Sequence, residues 1–410
     1  MGICGIIRLP PAGRAAKAAR QGTGVCNHMK ILLVMDQFDT ANNGTTVSAQ
    51  RFAQALQRRG NEVRVAAVGA PGEGRYVMPA LWFPAPAAKL IRSQGMQLAK
   101  PDKALLRQAI GWADVVHFLM PFALSRAGLR IAEELGVPHT AAFHVQPENI
   151  TYSIGLGRRR LANELLYREL RGHFYNRFSH VHCPSEFIAA QLRQRGYTAQ
   201  LHVISNGVDP SFCYRRSEKT PQFAGRKVLL MIGRLSAEKR QDVLIDAVAR
   251  SRYRGEIQLV LAGQGPKEAA LRRQGEKLPH PPIIGFYTQQ ELQQILSMTD
   301  LYIHASDAEI EAISCIEAFS TGVVPVIADS PLSATPQFAL TPQSLFPAGS
   351  AAALAGRIDY WLARPAERQA MGLRYAQAGK AYGLDACVAR AEQMFRQAID
   401  EQQRGAVVCR

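Results

Sequence analysis

The sequence predicts an α/β protein made of two doubly wound parallel sheets, one following the other along the chain, with helices at the C-terminus. Three observations carry this prediction. Apolar runs of four to six residues alternate with helical patterns, the alternation occurs twice, and a polar aperiodic stretch, residues 205–227, separates the two series. Strands spaced by helices form βαβ units, because a parallel neighbour is reached only by a crossover long enough to hold a helix.

The first series runs "KILLVM", "EVRVAAV", "DVVHFL", "HTAAF", "HVHC" and "LHVIS", with "FAQALQRRG" and "IAEELG" among the segments between. The second runs "KVLLMIG", "IQLVLAG", "PPIIG", "LYIHA" and "VPVIAD", spaced by helical patterns such as "AEKRQDVLIDAVARSR" and "TQQELQQILSM". Two further helices, "AERQAMGLRYAQAG" and "DACVARAEQMFRQAIDEQQR", close the chain. The expected organisation is a first domain over residues 29–208, a linker over 209–225, a second domain over 226–380 and a C-terminal helix and tail over 381–410. Open parallel sheets bind ligands at the carboxyl ends of their strands, so two of them face to face enclose a cleft.

Bulk properties agree. A chain of 410 residues with 47% hydrophobic content suffices for two ordinary cores, and its 33 glycines and 23 prolines are unexceptional for a soluble protein. No run of about 18 apolar residues suggests a spanning helix. The seven cysteines show neither a CxxC pair nor metal-ligand spacing, and read as reduced thiols of a cytoplasmic protein. Residues 1–28 carry four basic residues and no acidic one, with too short an apolar stretch for a signal peptide. Met29 reads as the true start, or residues 1–28 as a disordered arm. The formal net charge is +16, and most of it lies beyond that arm, which suits anionic lipid, phosphate-bearing substrates or nucleic acid.

Four features converge on the carboxyl ends of the strands. In "DQFDTANNGTTVSAQ" a strand gives way to a loop with Asn42, Asn43 and Gly44, where Thr45 or Thr46 can cap a helix. Glycine there permits close backbone approach, and a helix N-terminus attracts an anion. In "MIGRLSAEKRQDVL", Arg234 and Lys239 lie five apart across a turn, with Ser236 expected to cap the next helix. A guanidinium beside an ammonium is suited to a diphosphate.

The third feature is "EIEAISCIEAFSTG", which sets Glu309, Glu311 and Glu317 among apolar residues just after a buried strand. A helix starting near Ile310 or Glu311 puts Glu309 and Glu317 roughly on one side, about two turns apart, with the amides of Ile313 and Ser314 between them. Carboxylates accept hydrogen bonds from paired hydroxyls, so the set fits a sugar at one end and a ribose at the other. The helix dipole alone accounts for Glu309 or Glu311 but not for Glu317. The fourth feature is His144 in "TAAFHVQPENITY", directly after a strand of the first domain.

"GRLSAEK" followed by "EIEAISCIEAFSTG" resembles the signature of family-four glycosyltransferases, the group-one glycosyl transferases, over about residues 29–400. The resemblance implies a GT-B fold of two facing Rossmann-like domains and a retaining, metal-independent hexosyl transfer that needs no cofactor. The nucleotide sugar, expected to be UDP-linked, is the donor substrate. It further implies that Arg234 and Lys239 clamp the diphosphate and that Ile313 and Ser314 donate main-chain hydrogen bonds. Glu317 would hold the ribose, Glu309 the transferred sugar, and main-chain groups near Phe286 and Tyr287 the base. His144 would touch the sugar from the facing domain, and Gly44 would let backbone approach the phosphates. No D-x-D motif is present. Two departures stand out: Arg240 where the family often has Gly, and "IADSPLSATPQFAL" in place of a Gly-Gly segment.

Residues 155–180 carry Arg158, Arg159, Arg160, Arg168, Arg171 and Arg177 against two acids, with Leu161, Leu165, Leu166, Leu170 and Phe174 at helical spacing. Such a segment either lies on an anionic membrane or is a core helix with solvated flanks. Several relatives of the family glycosylate lipids, so the leading acceptor is a membrane lipid such as diacylglycerol or a lipid-linked glycan, with a soluble or polysaccharide acceptor behind it. The expected location is cytoplasmic, extending to the inner face of the plasma membrane. A nucleotide-sugar epimerase of related fold would not require this Arg, Lys and Glu set. A nucleic-acid binder lacks a recognisable module, and an oxidoreductase lacks G-x-G-x-x-G after the first strand.

Overall fold

The computed structural model describes residues 28–39, 44–85, 88, 91, 95–153 and 159–408. The expectations for residues 1–27, for Asn42 and Asn43 and for Arg158 lie outside the described residues. Seven strands form the first sheet: β1 (Lys30–Gln37), β2 (Glu62–Val68), β3 (Arg75–Val77), β4 (Val115–Phe118), β5 (His139–Ala142), β6 (His180–Cys183) and β7 (Gln200–Val203). All pair in parallel, in the order β3-β2-β1-β4-β5-β6-β7.

The second sheet contains β8 (Lys227–Ile232), β9 (Ile257–Ala262), β10 (Ile283–Gly285), β11 (Leu301–His304), β13 (Val324–Asp329) and β15 (Leu345–Pro347). Its order is β10-β9-β8-β11-β13-β15. Two short strands, β12 (Ala308–Glu309) and β14 (Leu332–Ser333), pair separately at its edge. Strands β3, β10, β12, β14 and β15 span three residues or fewer, and of these only β10 lies in an apolar run named from the sequence.

Both faces of each sheet are covered, which explains why the strands are apolar throughout instead of alternating. In β1, Leu32 and Val34 enter one core, while Ile31, Leu33 and Met35 enter another on the opposite face. That second core is completed by helix α1 (Gly44–Arg58) and by the last helix of the chain, Leu384–Val408. Leu384, Cys387, Val388, Ala391, Met394 and Phe395 form its buried stripe at helical spacing. The C-terminal helix therefore leaves the second domain and packs on the first sheet. Its buried Glu392 accepts from Asn61 Nδ2 at 2.6 Å and Arg59 Nη2 at 3.0 Å.

The two crossings between domains touch. Val208 donates to Tyr382 O at 2.8 Å, and Leu384 donates to Val208 O at 3.1 Å. Gly207 is required here: its φ is 75°, and a Cβ would lie 2.8 Å from the Leu384 Cα.

The basic segment forms helix α2 (Arg160–His173), whose faces divide differently from the expected apolar stripe. Asn163, Tyr167 and Leu170 face the core, followed by buried Phe174, whereas Leu161 is 81% and Leu165 63% exposed. Polar side chains hold the inner face: Tyr167 Oη donates to Gln191 Oε1 at 2.8 Å, and Asn163 Oδ1 accepts from Thr151 at 2.6 Å. Arg171 and Arg177 are committed internally, to Arg195 O and Glu133 respectively.

Replacing Phe395 by Ala is predicted to destabilise the protein by about 3–5 kcal/mol, because a fully buried ring would leave a cavity between the last helix and the first sheet. The urea unfolding midpoint measures this. A loss below about 1 kcal/mol would mean that the C-terminal helix is not part of the core.

Candidate active site

The charged residues singled out in the sequence gather where the carboxyl ends of the two sheets meet. After β8, Gly233 leads into a short 3-10 turn, Ala237–Lys239, and then into helix α3 (Gln241–Arg250). Ser236 does not cap that helix. Its hydroxyl donates to Glu238 Oε1 at 2.5 Å, and Arg234 Nη2 binds the same oxygen at 2.6 Å. Lys239 points elsewhere, and its ammonium pairs with Glu309. In this structure the two cations thus have separate acidic partners.

Arg240 occupies the left-handed region, φ 55°, where a side chain is disfavoured by about 1–2 kcal/mol. Glycine is the residue that adopts this conformation freely, which gives the departure at this position a backbone meaning. The arginine is held by Asp242 at 3.1 Å and Asp307 at 3.3 Å.

Glu309 ends β12, whose partner β14 comes from the divergent segment "IADSPLSATPQFAL". Ser330 Oγ fastens that segment by donating to Asp307 O at 2.5 Å, and Ala334 N donates to Glu309 O at 2.9 Å. Burial pushes the Glu309 carboxyl up, but the Lys239 ammonium and His304, 3.4 Å away, outweigh it and hold the group well below the usual carboxylate range. Glu309 is therefore ionised, and the cost of a buried charge is met by its counter-ion.

The following helix, α4 (Ile313–Ser320), starts later than the sequence suggested. Ala312 caps it at φ 65°, so the amides of Ile313 and Ser314 fall in its first turn, without intrahelical acceptors. Ser314 Oγ accepts from Tyr302 Oη at 3.0 Å. Glu317 is buried further along the helix. Its pKa is raised by burial and pulled back by Arg51, whose Nη1 lies 2.7 Å away. Arg51 belongs to α1 of the first domain and also reaches Gln289 at 3.2 Å.

Sequence reasoning missed Arg51, although Gly44, Ser48 and Arg51 share one helical face and would have pointed to it. It also missed His304, a polar residue at the end of an apolar strand. Further bonds close the cleft: Gln146 Nε2 to Leu332 O at 3.0 Å, Tyr152 Oη to Asp307 at 3.1 Å, and Ser185 Oγ to Ile310 O at 2.6 Å.

The remaining expected residues are placed as follows. Gly44 is the first residue of α1, and a Cβ there would meet nothing within 4 Å, so packing does not require glycine. Phe286 and Tyr287 follow β10, with Phe286 59% exposed. His144 is buried, with its ring 5.3 Å from that of His182. Burial and the neighbouring His182 depress its pKa to about 3, so it is a neutral imidazole at physiological pH. It lines a cavity of about 20 Å³ with His117, His182 and Asn206, large enough for a single water. Among the described residues no hydrogen bond joins it to the second domain.

Two family descriptions match the chain in tandem: Glycosyltransferase Family 4 over residues 42–212 and Glycosyl transferases group 1 over residues 215–377. The chain belongs to the family-four glycosyltransferases of GT-B fold, enzymes that use nucleotide sugars. It is 25% identical over 320 residues to the Alpha-monoglucosyldiacylglycerol synthase of Streptococcus pneumoniae, an alignment covering 73% of this chain and 71% of the relative. The Anabaena protein Alr3699/HepE, solved in complex with UDP and glucose, superposes with a TM-score of 0.69 at 18% identity, covering 90% of this chain and all of that one. A partial match, 38% of this chain at 47% identity, joins it to 98% of the catalytic domain of cholesterol-alpha-glucosyltransferase from Helicobacter pylori. Its TM-score of 0.37 carries no weight for the fold.

One carboxylate beside the site is incompletely satisfied. Glu311 Oε2 accepts from Asn206 N at 3.0 Å and Nδ2 at 2.7 Å, while Oε1 is buried without a partner among the described residues. Burial raises its pKa to about 7, against the lowering effect of Ser205 and Asn206. A carboxyl raised on folding favours the folded state fully below its unfolded value, and that contribution is lost as pH rises through about 7. Glu311→Gln cannot ionise and keeps an acceptor for Asn206. It is predicted to exceed wild type in stability at pH 8 by about 1–3 kcal/mol and to match it near pH 5. Urea midpoints at the two pH values provide the check, and equal differences at both would refute the assignment.

Proposed function

We propose that this enzyme transfers a hexose, with retention of configuration, from a UDP-linked donor to a hydroxyl of a membrane lipid such as diacylglycerol or a lipid-linked glycan. The observation that carries the reading is the Lys239–Glu309 pair at the carboxyl edge of the second sheet, beside the first-turn amides of α4.

In the reaction the bond from the anomeric carbon to the diphosphate breaks and its electrons stay on the diphosphate. The acceptor oxygen forms the new bond to the same carbon and passes its proton to an oxygen of the departing diphosphate. Lys239 and Arg234 neutralise the charge that develops on the leaving group, and the amides of Ile313 and Ser314 bind its oxygens. Glu309 accepts hydrogen bonds from the transferred sugar, Glu317 from the ribose, and the backbone at Phe286 and Tyr287 holds the base. His144, neutral at working pH, faces the sugar from the first domain, and Gly44 leaves space for phosphate against the start of α1. Donor binding on this account exchanges partners: the diphosphate displaces Glu309 from Lys239, and the ribose displaces or joins Arg51 on Glu317.

The acceptor class rests on α2. Leu161 and Leu165, one turn apart and both exposed, stand among Arg159, Arg160 and Arg168, also exposed and without ion-pair partners among the described residues. Apolar side chains flanked by arginines suit the surface of an anionic bilayer. Among the described residues no helix is long and apolar enough to cross a membrane. The relative named as a glucosyldiacylglycerol synthase makes diacylglycerol the first acceptor to try, and the relative solved with UDP and glucose makes UDP-glucose the first donor.

The test is turnover with UDP-glucose, UDP-galactose, UDP-N-acetylglucosamine and GDP-mannose, with and without anionic vesicles containing diacylglycerol. Turnover of one donor that rises with vesicles is expected, and turnover indifferent to lipid moves the acceptor to a soluble glycan. Replacing Leu161 and Leu165 together by Ser is predicted to weaken vesicle binding about fivefold or more while leaving donor hydrolysis intact. Unchanged flotation of the double variant would remove α2 from the interface.

A further inference from the structure

A second cavity lies outside the charged cleft. It has a volume of about 620 Å³ and is bordered by Leu81, Trp82, Phe83, Met96 and Leu98, with Gln37 and Gln97 as polar lining residues. Its walls are two extended segments: Leu81 N donates to Leu98 O at 2.8 Å, Lys100 N to Pro79 O at 2.8 Å, and Ala80 bridges Ala99 antiparallel. The end of β1 anchors them. Asp36 Oδ1 accepts from Ala99 N at 2.9 Å, Gln37 Oε1 from Gln97 N at 2.7 Å, and Gln37 Nε2 donates to Gly95 O at 3.0 Å.

Both ends of the Gln37 amide are thus committed to the backbone, Gln97 is exposed, and the remaining named walls are apolar. A cavity of this size with a mostly apolar described lining suits a hydrocarbon, and none of the described lining residues offers a counter-charge to a phosphate. Leu81, Phe83, Met96 and Leu98 remain only partly buried, and Trp82 on the rim is 81% exposed. Five neighbouring apolar side chains left in this state are unfavourable in water unless something covers them. An exposed indole at the mouth suits the boundary between hydrocarbon and water.

Through Gln37 the cavity adjoins the start of α1, the helix that reaches the reaction cleft. Gln37 Nε2 lies 3.4 Å from Thr46 Oγ1 in the first turn of α1, the helix that begins at Gly44 and presents Arg51 to Glu317. Strands β1, β4 and β5 are consecutive neighbours, so the end of β1 stands about 10 Å across the sheet from the end of β5, next to His144.

We infer that this cavity holds the hydrocarbon chain of the acceptor, with the accepting hydroxyl directed along the edge of the first sheet toward the donor sugar. The inference rests on the lipid-acceptor reading above and adds the place where the lipid is held.

The test uses the full chain and Leu98→Glu, which sets a carboxylate in the apolar wall. Transfer to 1,2-dioctanoylglycerol is measured beside donor hydrolysis by water, and quenching of Trp82 fluorescence by 12-bromododecanol is read separately, with Trp82→Phe as the control for Trp112 and Trp361. The expected result is quenching in wild type that Leu98→Glu abolishes. In the same variant the KM for dioctanoylglycerol rises about tenfold or more, with hydrolysis changed less than twofold. Should hydrolysis fall as well, Met96→Glu and the circular dichroism of both variants separate misfolding from loss of the site. Transfer to dioctanoylglycerol with no quenching and a normal KM in Leu98→Glu would overturn the inference and leave the lipid-acceptor reading standing. Quenching by the bromoalcohol without transfer to any lipid would keep the hydrocarbon site and refute that reading.

Discussion

Half-buried Lys239 and buried Glu309 form an ion pair where the first loop of the second domain meets β12, and much of the surrounding backbone is arranged to keep it there. The left-handed Arg240 turns the chain so that Lys239 ends its 3-10 turn facing inward. The β12–β14 pairing fixes Glu309 in turn, and the His304 ring lies 3.4 Å from the carboxylate. Removing one partner of such a pair leaves the other charge partly buried and unpaired, which is unfavourable. A diphosphate bearing more than one negative charge can compete for Lys239 where water cannot.

The other acidic residues at the interface follow the same rule. Glu238 holds Arg234, Glu317 holds Arg51 across the cleft, and Asp307 collects Arg240 and Tyr152. Of these contacts, Glu317 with Arg51 and Asp307 with Tyr152 cross from one domain to the other. The two crossings of the chain meet at Gly207, Val208 and Leu384, and Glu311 binds Asn206 close by. The contacts between the domains and the charged groups of the site therefore share one segment, from Asp307 to Glu317.

Much of this was legible in the sequence, since periodicity and turn chemistry are local properties. The eleven longer apolar runs became strands, the helices fell between them, and Arg234, Lys239, Glu309 and Glu317 gathered at one edge because strand ends in parallel sheets share an edge. Side-chain partners were not legible. The separation of Arg234 from Lys239, and the pairing of Glu317 with Arg51 across 266 positions, depend on how two domains meet. The late start of α4 reflects a left-handed alanine, a conformation that no propensity predicts. In α2 the leucines read as one apolar face, for a membrane or for the core, and they divide: Leu170 is buried while Leu161 and Leu165 are exposed, because Tyr167 and Asn163 found buried hydrogen-bond partners and took part of the inner face.

His144 shows the same limit from the other side. Its position after β5 was readable, but its burial against His182, beneath a helix arriving from the far end of the chain, was not.

The most direct measurement is calorimetric binding of UDP to wild type, Lys239→Ala and Glu309→Gln. If Lys239 exchanges Glu309 for the diphosphate, Lys239→Ala binds UDP at least about tenfold more weakly. Glu309→Gln, freed of the competing carboxylate, binds UDP as tightly as wild type or more so, yet fails to turn over the donor. UDP binding by Lys239→Ala equal to that of wild type would contradict the account.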